Sequence, residues 1–249
     1  MARAAIPGRL SWQAGRVVDT IQETQRTKSL VLDLPNWSGH RAGQHLDIRV
    51  TAEDGYQAQR GYSIASAPED DGVMLTVDRL EGGEVSPYLT DVVEVGDELE
   101  VRGPIGGYFV WDASLTGPLQ LISGGSGIVP MRAMLRHWAA ARAPVQVRLL
   151  HSARSLDDVV YRDELMRFAA FDEVDLYIAL TRTWPERWRG HRGRVDRAFV
   201  ESATWPPQDE PHIYVCGPTA FVEAATAALV ETGQRPTTIK TERFGPTGG

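Results

Sequence analysis

Short stretches in which apolar and polar residues alternate fill the first 112 positions, and breaks rich in glycine and proline separate them. An alternation with a period of two is typical of a strand that buries one face. The strands predicted from this pattern cover 12–19, 29–33, 45–50, 59–66, 73–79 and 98–103. A short helix over 86–92 would plug or cap one end. Six short strands joined by turns favour a small closed antiparallel β-barrel.

The pattern changes near 113–118, where Gly117-Pro118 is a predicted hinge. Beyond the hinge, apolar strands alternate with helices. The strands cover 119–123, 145–152, 174–180, 212–216 and 238–243, and the helices cover 127–143, 160–169, a region that includes 196–200, and 219–232. This alternation predicts a Rossmann-like α/β domain, with a parallel sheet and helices on both faces. We therefore expect two domains, 1–114 and 115–249.

Charge and cysteine content narrow the classes of function. The formal net charge is −7 and no block of lysine and arginine occurs, which argues against a nucleic-acid partner. No apolar run approaches membrane-spanning length, and the N-terminus lacks the apolar core of a signal peptide, so we expect a cytoplasmic protein without a membrane partner. Cys216 is the single cysteine, which excludes an intrachain disulfide and any cysteine-based zinc or iron–sulfur site within these residues. No His-x-x-x-His pair occurs either, and we predict no metal.

The strand that carries Arg60-Gly61-Tyr62-Ser63 offers three chemistries within four residues. Arg60 can hold a phosphate with two hydrogen bonds. Tyr62 can cover an aromatic ligand, and Ser63 is a short donor and acceptor on the neighbouring face. Together they suit a ring system joined to a phosphate, such as a flavin nucleotide. An ordinary antiparallel strand is the alternative.

The segment Gly82-Gly83-Glu84-Val85-Ser86 lies about 20 residues after Arg60 and precedes the short predicted helix. Glycines permit close approach of the backbone, and amides at a helix N-terminus face an anion. A hairpin turn followed by a serine cap is the alternative. Because both segments belong to the same predicted barrel, both could hold one pyrophosphate.

Two strand–turn–helix junctions point to a second nucleotide. Gly124-Gly125-Ser126-Gly127-Ile128-Val129-Pro130 follows an apolar strand and opens a helix, which is the setting in which a dinucleotide pyrophosphate binds. Tyr214-Val215-Cys216-Gly217-Pro218-Thr219 ends another strand at the edge where α/β sheets bind ligands. A tight turn without a ligand is the alternative for the first, and a small buried hydrophobic Cys216 is the alternative for the second.

In this order the motifs resemble the ferredoxin–NADP⁺ reductase superfamily, over roughly residues 10–246. The matching motifs are Arg-x-Tyr-Ser, Gly-x-Val-Ser, Gly-Gly-x-Gly-Ile-x-Pro and Cys-Gly-Pro. The resemblance implies an FAD-binding barrel, with FAD bound non-covalently, followed by an NAD(P)-binding α/β domain. It also implies a flavoprotein oxidoreductase that takes hydride from NAD(P)H onto FAD and releases electrons one at a time.

The resemblance assigns roles to residues at the matching positions. Arg60 would hold the FAD pyrophosphate, Tyr62 would cover the flavin, and Ser63 would bond near flavin N5. The backbone of a second set would complete the flavin site: Thr76, Val77, Gly83, Glu84, Val85 and Ser86. Gly125, Ser126 and Gly127 would approach the NAD(P)H pyrophosphate, with Cys216, Gly217 and Pro218 beside the nicotinamide. Phe244 would stack on the flavin and yield to nicotinamide, and Glu242 would help the proton and hydride steps. A frayed C-terminal end is the alternative for this tail.

The choice between NADPH and NADH depends on three arginines. Arg154, Arg182 and Arg194 fall where related bacterial reductases clasp the adenosine 2′-phosphate, and Ser152 would add a hydroxyl. Surface ion pairs are the alternative for Arg182 and Arg194. The acidic pair Asp157-Asp158 leaves NADH open, since a carboxylate commonly binds the free ribose. We predict NADPH over NADH.

The electron acceptor is expected to be a separate protein. Many relatives carry a fused iron–sulfur domain with a Cys-x-x-x-x-Cys-x-x-Cys run, which this sequence lacks. The expected partner is therefore a ferredoxin or another iron–sulfur carrier in trans, serving an oxygenase such as a cytochrome P450. Arginines at 182–197, around Trp184 and Trp188, would dock it, unless that segment is a solvated loop. The alternatives are a flavin or quinone reductase with small-molecule acceptors, and a nucleotide-binding electron-transfer subunit without activity of its own.

Overall fold

The structure, a computed structural model, describes residues 10–245. The first six strands form one antiparallel sheet in the order β4-β3-β6-β1-β2-β5. Their bounds are Gln13–Gln22 (β1), Thr27–Asp33 (β2), His45–Thr51 (β3), Gln57–Ser63 (β4), Val73–Asp78 (β5) and Glu98–Ile105 (β6). The predicted six-stranded antiparallel architecture is confirmed.

The sheet curls so that its two outer strands meet. Ile64, just past β4, forms a bridge with Leu75 of β5, and the Ala65 amide donates to the Met74 carbonyl at 2.7 Å. Inside, alternate residues of every strand build one apolar core, in which Leu30, Leu46 and Ile48 are fully buried. This closure near Ile64 leaves the earlier part of β4, with Arg60 and Tyr62, along the edge of the barrel.

The remaining six strands form a parallel sheet in the order β10-β9-β8-β7-β11-β12. Their bounds are Leu119–Gly124 (β7), Val147–Ala153 (β8), Val174–Leu180 (β9), His191–Arg192 (β10), His212–Pro218 (β11) and Ile239–Phe244 (β12). The helices are Ile128–Ala141 (α1), Arg162–Phe168 (α2), Arg197–Ala203 (α3) and Thr219–Glu231 (α4). Two separate apolar clusters cover the sheet, one with α1 and α2 and the other with α3 and α4. The predicted parallel sheet with helices on both faces is confirmed.

Most elements begin or end one to three residues away from the predicted positions. Helix α1 stops at Ala141 rather than at 143, because Arg142 adopts a left-handed conformation with φ 50°. The short predicted helix over 86–92 is wound as a π-helix at Tyr88–Val92. Strand β10 was not predicted, since a two-residue strand carries no periodic pattern.

The segment that connects the two sheets is bonded to both. The Trp111 amide donates to Ala42 of the barrel side at 3.2 Å, and the Tyr214 hydroxyl of β11 donates to the Val110 carbonyl at 2.8 Å. The predicted domain boundary at 114/115 lies within this segment and stays a prediction. Between residues 10 and 245, no helix is both long and apolar enough to cross a bilayer.

Candidate functional site

Strand β4 and the glycine-rich turn 82–86 come together at Arg60. Its guanidinium donates to the Gln59 carbonyl at 2.7 Å, and Nη2 lies 3.7 Å from Oε2 of Glu84. Glu84 also accepts from the Tyr56 hydroxyl at 2.9 Å. Because a carboxylate cannot bind phosphate, Glu84 can serve an anion site only through its backbone, and Arg60 must turn from it to grip a pyrophosphate. The side chains of Arg60 and Glu84 are both largely exposed, so Arg60 can turn away from Glu84 without displacing packed neighbours.

Tyr62 and Ser63 lie on opposite faces of β4, as their alternation predicts. Tyr62 packs against the barrel core, and burial raises the pKa of its hydroxyl far above the ordinary value, so that it stays protonated. Ser63 is paired in register with His45 of β3, which sequence reasoning missed. Burial lowers the pKa of His45, whose Nδ1 lies 3.9 Å from Oε1 of Glu242.

The other predicted flavin-site residues have their side chains committed to the fold. Val77 and Val85 are buried in the barrel core. The Ser86 hydroxyl accepts from the Leu80 amide at 3.1 Å, and the Thr76 hydroxyl is bonded to Ser29 at 2.7 Å. These contacts leave the backbone of 76–77 and 83–86 as the part that can contact a ligand.

The glycines of the two strand–helix junctions are needed for close packing. Gly124 and Gly217 both face the Phe221 ring, where an added Cβ would lie 2.7 Å from a ring carbon. Gly127 lies under the Cys216 carbonyl, and an added Cβ would overlap it. The turn at Gly125 has φ 55°, and helix α1 begins directly after Gly127. The two junctions therefore meet at the N-terminus of α1, where backbone amides are available to an anion.

Gly127→Ala is expected to cost roughly 3 kcal/mol of unfolding free energy, at the upper end of overpacking effects, because the neighbouring group is rigid backbone. Urea unfolding of the flavin-free protein measures this. Gly107→Ala is the matched control, since its Cβ would meet only the flexible end of Arg41 at 3.5 Å. Equal stability of the two variants would contradict the packing described here.

Cys216 and Glu242 stand side by side on β11 and β12. They are paired in register, and the Cys216 thiol lies 4.0 Å from Oε2 of Glu242. Burial raises the pKa of Glu242 to about 7, and burial together with the Glu242 charge raises that of Cys216. A neutral thiol thus stands beside a carboxyl that can gain or lose a proton near neutral pH.

Glu242→Gln is expected to remove one pH dependence of stability. A carboxyl with a folded-state pKa near 7, against 4.5 ordinarily, contributes stability that is complete below pH 4.5 and lost as the pH rises through 7. At pH 8 the free energy of unfolding of the flavin-free variant should exceed that of the flavin-free native protein by about 1–3 kcal/mol. At pH 4.5 the two free energies should match. Denaturant unfolding at both pH values checks this, with the exposed Glu223→Gln as control. A constant difference across this range would rule out the titration.

A cleft of about 450 Å³ runs along the carboxyl ends of the parallel strands. Its lining includes Phe244, which was predicted to stack on the flavin, and most of the residues predicted for the pyridine nucleotide: Gly125, Ser126, Ser152, Arg154, Arg182, Arg194 and Pro218. The Arg182 amide donates to the Arg154 carbonyl at 2.9 Å, which holds these two residues adjacent. Within 10–245, none of the three arginines forms an ion pair.

Residues of the barrel also line this cleft, which sequence reasoning missed. Arg26 and Asp78 line it, 3.9 Å apart, and Arg26 donates to the Arg79 carbonyl at 2.7 Å. Arg60, Tyr62 and Cys216 do not line the cleft. Neither Arg26 nor His45 belongs to a glycine-rich motif. Their places depend on pairing between distant strands, for which a single sequence offers no signal.

Two family models of known oxidoreductases match this chain. Residues 14–110 match the oxidoreductase FAD-binding domain, and residues 121–227 match the oxidoreductase NAD-binding domain. The glycine betaine monooxygenase reductase subunit of Pseudomonas aeruginosa is 34% identical over 246 residues, which cover 95% of this chain and 66% of that protein. Ferredoxin–NADP reductase B of Sorangium cellulosum is 36% identical over 182 residues, covering 71% of this chain and 73% of that protein.

Among solved structures, the cytochrome P450 reductase GcoB of Amycolatopsis superposes with a TM-score of 0.83 at 27% identity. The match covers 96% of this chain and 71% of that one. The chain thus spans about two thirds of the length of the Pseudomonas reductase and somewhat more of the other two proteins.

Proposed function

Since the chain belongs to the ferredoxin reductase family of FAD- and NAD-binding oxidoreductases, we propose that it moves electrons from NADPH through FAD to an iron–sulfur carrier. One observation supports this most directly. Between the strand with Arg60, Tyr62 and Ser63 and the cleft with Arg154, Arg182 and Arg194, His45 of the barrel lies next to Glu242 of the parallel sheet, with 3.9 Å between Nδ1 and Oε1. A flavin site and a nucleotide site would therefore face each other there.

The residues present fit FAD. Arg60 would bind the pyrophosphate together with the backbone of 83–86, where Gly83 keeps the turn compact. The Tyr62 ring would cover the flavin, and Ser63 would offer its hydroxyl near flavin N5, with the backbone of 76–77 beside it. When bound, FAD would supply the ability to accept two electrons from the nucleotide and to release them one at a time.

The pyridine nucleotide would bind across the N-terminus of α1. The amides of Gly125, Ser126 and Gly127 would hold its pyrophosphate, because the unpaired amides and the dipole of this helix both favour an anion. Cys216, Gly217 and Pro218 would flank the nicotinamide. Phe244, partly exposed on the cleft wall, would move aside to admit that ring.

Glu242 would hold a proton close to the reacting rings. Its raised pKa and its contacts with Cys216 and His45 suit a group that exchanges protons near neutral pH. Ser63, opposite His45 across the strand pair, extends the same polar row. Ser63, His45 and Glu242 would thus form a row of polar side chains from β4 of the flavin site to β12 at the C-terminus.

We propose NADPH rather than NADH because the cleft combines Ser152 with three arginines that form no ion pair with any residue between 10 and 245. A 2′-phosphate is nearly dianionic and needs such cations. Asp158 also lines the cleft, but its carboxylate accepts from the Ser155 hydroxyl at 2.5 Å. That bond makes it a weaker candidate for binding a free ribose.

The proposed acceptor is a ferredoxin-type carrier that serves an oxygenase. The Pseudomonas relative is the reductase subunit of a monooxygenase, and the Amycolatopsis structure is a cytochrome P450 reductase, so a P450 system is one candidate. With Cys216 as the single cysteine, any cysteine-ligated cluster must lie outside these 249 residues. The cytoplasm stays the proposed location, on sequence grounds.

Steady-state assays with NADPH decide between the acceptors. We expect a [2Fe–2S] ferredoxin to be reduced with a higher kcat/KM than free flavin or a quinone. Added salt should slow that reaction if the arginines around Trp184 and Trp188 dock an acidic carrier. Faster turnover of free flavin than of any ferredoxin would favour the flavin-reductase alternative. A protein that takes up no FAD would leave only a nucleotide-binding subunit.

A further inference from the structure

The side chain of Arg132 connects helix α1, which begins at the proposed nucleotide site, to the segment after β4, the strand of the proposed flavin site. Arg132 belongs to α1, five residues after Gly127, and its Nη1 donates to the Ala65 carbonyl at 2.9 Å. Ala65 lies two residues past Ser63, where the barrel closes onto β5. Resting on the function proposed above, we propose that Arg132 is a positioning residue that fixes the nucleotide-binding helix against the flavin-binding strand.

The contacts of Arg132 hold its side chain in a single arrangement. Nε lies 2.6 Å from Oε2 of Glu164, and the guanidinium lies 4.6 Å from the centre of the Tyr161 ring. Nη1 also approaches the Met74 sulfur at 3.2 Å. The residue is only 6% exposed. A buried arginine with an ion pair, a carbonyl and a ring as partners cannot change rotamer without losing several contacts.

A hydrogen-bonded chain crosses the same junction beside Arg132. The Tyr161 hydroxyl donates to the Thr76 hydroxyl of β5, which is bonded to Ser29 of β2 at 2.7 Å. Ser29 in turn donates to Glu23 at 2.6 Å. Tyr161 has φ 60°, a conformation that costs a residue with a Cβ free energy and persists where tertiary contacts impose it. The cross-sheet bond and the ring stacked on Arg132 are such contacts.

The next turn of α1 adds a more exposed part to this junction. Arg136 pairs with Asp70 at 2.9 Å, and His137 Nδ1 lies 2.7 Å from Glu69. Asp70 also accepts from the Ala67 amide at 2.7 Å. One face of α1 is therefore attached along the loop that continues from β4. The buried contact, that of Arg132, lies at the end of α1 nearest the glycine-rich turn at 124–127.

This placement has a consequence for the reaction. Transfer between two bound rings depends steeply on their separation, and a misplacement of about 1 Å can cost roughly 100-fold in rate. Arg132 acts at the point where a shift of α1 would move the nucleotide relative to β4. It touches neither ring site, so its effect is expected on the rate of transfer rather than on either binding step.

Arg148 provides a matched control inside the chain. It pairs with Asp175 at 3.1 Å, donates to the Thr204 carbonyl at 2.8 Å, and lies 3.8 Å from the centre of the Trp205 ring. It therefore makes the same three kinds of contact as Arg132, but all of them within the parallel-sheet domain. A merely structural role predicts similar consequences for the two substitutions.

The test compares Arg132→Met with Arg148→Met in the FAD-loaded protein. Stopped-flow reduction of the flavin at saturating NADPH should slow by about 10- to 100-fold in the first and by less than about 2-fold in the second. The KM for NADPH and the affinity for FAD should stay within about 3-fold in both. Amide hydrogen exchange at Ala65, measured without nucleotide, should quicken only in Arg132→Met.

Tyr161→Phe, which removes only the hydroxyl that reaches Thr76, keeps the test usable if Arg132→Met fails to fold, and it should show the same pattern with a smaller slowing. Equal rates in Arg132→Met and Arg148→Met, or an unchanged rate with unchanged exchange, would overturn the positioning role. Native protein whose bound flavin is not reduced by NADPH would instead contradict the proposed function. In that case the exchange comparison still decides whether Arg132 joins the two sheets.

Discussion

Arg60→Ala protein is expected to purify with little or no FAD and to bind added FAD at least about 100-fold more weakly. Arg60 is the single cationic residue of β4 and lies beside Glu84 of the turn at 82–86, and each charge-assisted hydrogen bond to a phosphate contributes about 1.5–3 kcal/mol. Loss of both bonds of a bidentate contact gives this weakening. The absorbance ratio of flavin to protein after purification, followed by FAD titration, measures it.

Arg49→Ala is the matched control for Arg60→Ala. Arg49 lies on the neighbouring strand β3 and has its own carboxylate partner, Glu100, at 2.5 Å. Its removal should cost some stability and leave the flavin content unchanged. Full flavin content in Arg60→Ala, or equal loss in both variants, would remove Arg60 from the flavin site.

The double variant Arg154→Ala/Arg182→Ala is expected to lose at least about 100-fold in kcat/KM with NADPH and to change little with NADH. The two arginines face the same cleft and are held together by the backbone bond at 2.9 Å. Each contact with the 2′-phosphate contributes about 1.5–3 kcal/mol. NADH lacks this phosphate, so most of the loss should appear as a higher KM for NADPH alone.

Arg167→Ala controls for the loss of a positive charge from the surface of the same domain. Arg167 is exposed in the last turn of α2 and lines no part of the cleft. It should leave the kinetics with both nucleotides unchanged. Equal losses with NADPH and NADH in the double variant would place the arginines on a part of the nucleotide that both molecules share.

The architecture was predictable because the buried faces of all strands except β10 consist of alternating or continuous apolar residues. Val174–Leu180 is continuous enough that both of its ends were predicted. The last three residues of β1 were missed, because Thr20, Ile21 and Gln22 pair with β2 along a largely exposed stretch. Hydrogen bonding, not burial, extends that strand, and hydrogen bonding leaves no pattern in composition.

The candidate site was predictable where glycine is required and not where distant strands meet. Gly127 must lack a side chain under the Cys216 carbonyl, and that need is visible as a glycine-rich turn between a strand and a helix. The partners that connect the sites, His45 with Glu242 and Arg132 with Ala65, lie 197 and 67 positions apart. Only the folded chain brings them together.

The most direct test of electron transfer from NADPH to FAD is the visible spectrum of the purified protein under anaerobic conditions, before and after one equivalent of NADPH. We predict a flavin band that bleaches promptly. A band that persists with NADPH and bleaches with NADH would contradict the role of the arginines and leave the fold and the chemistry in place. No flavin band, even after incubation with FAD, would contradict the central claim that Arg60, Tyr62 and Ser63 form a flavin site.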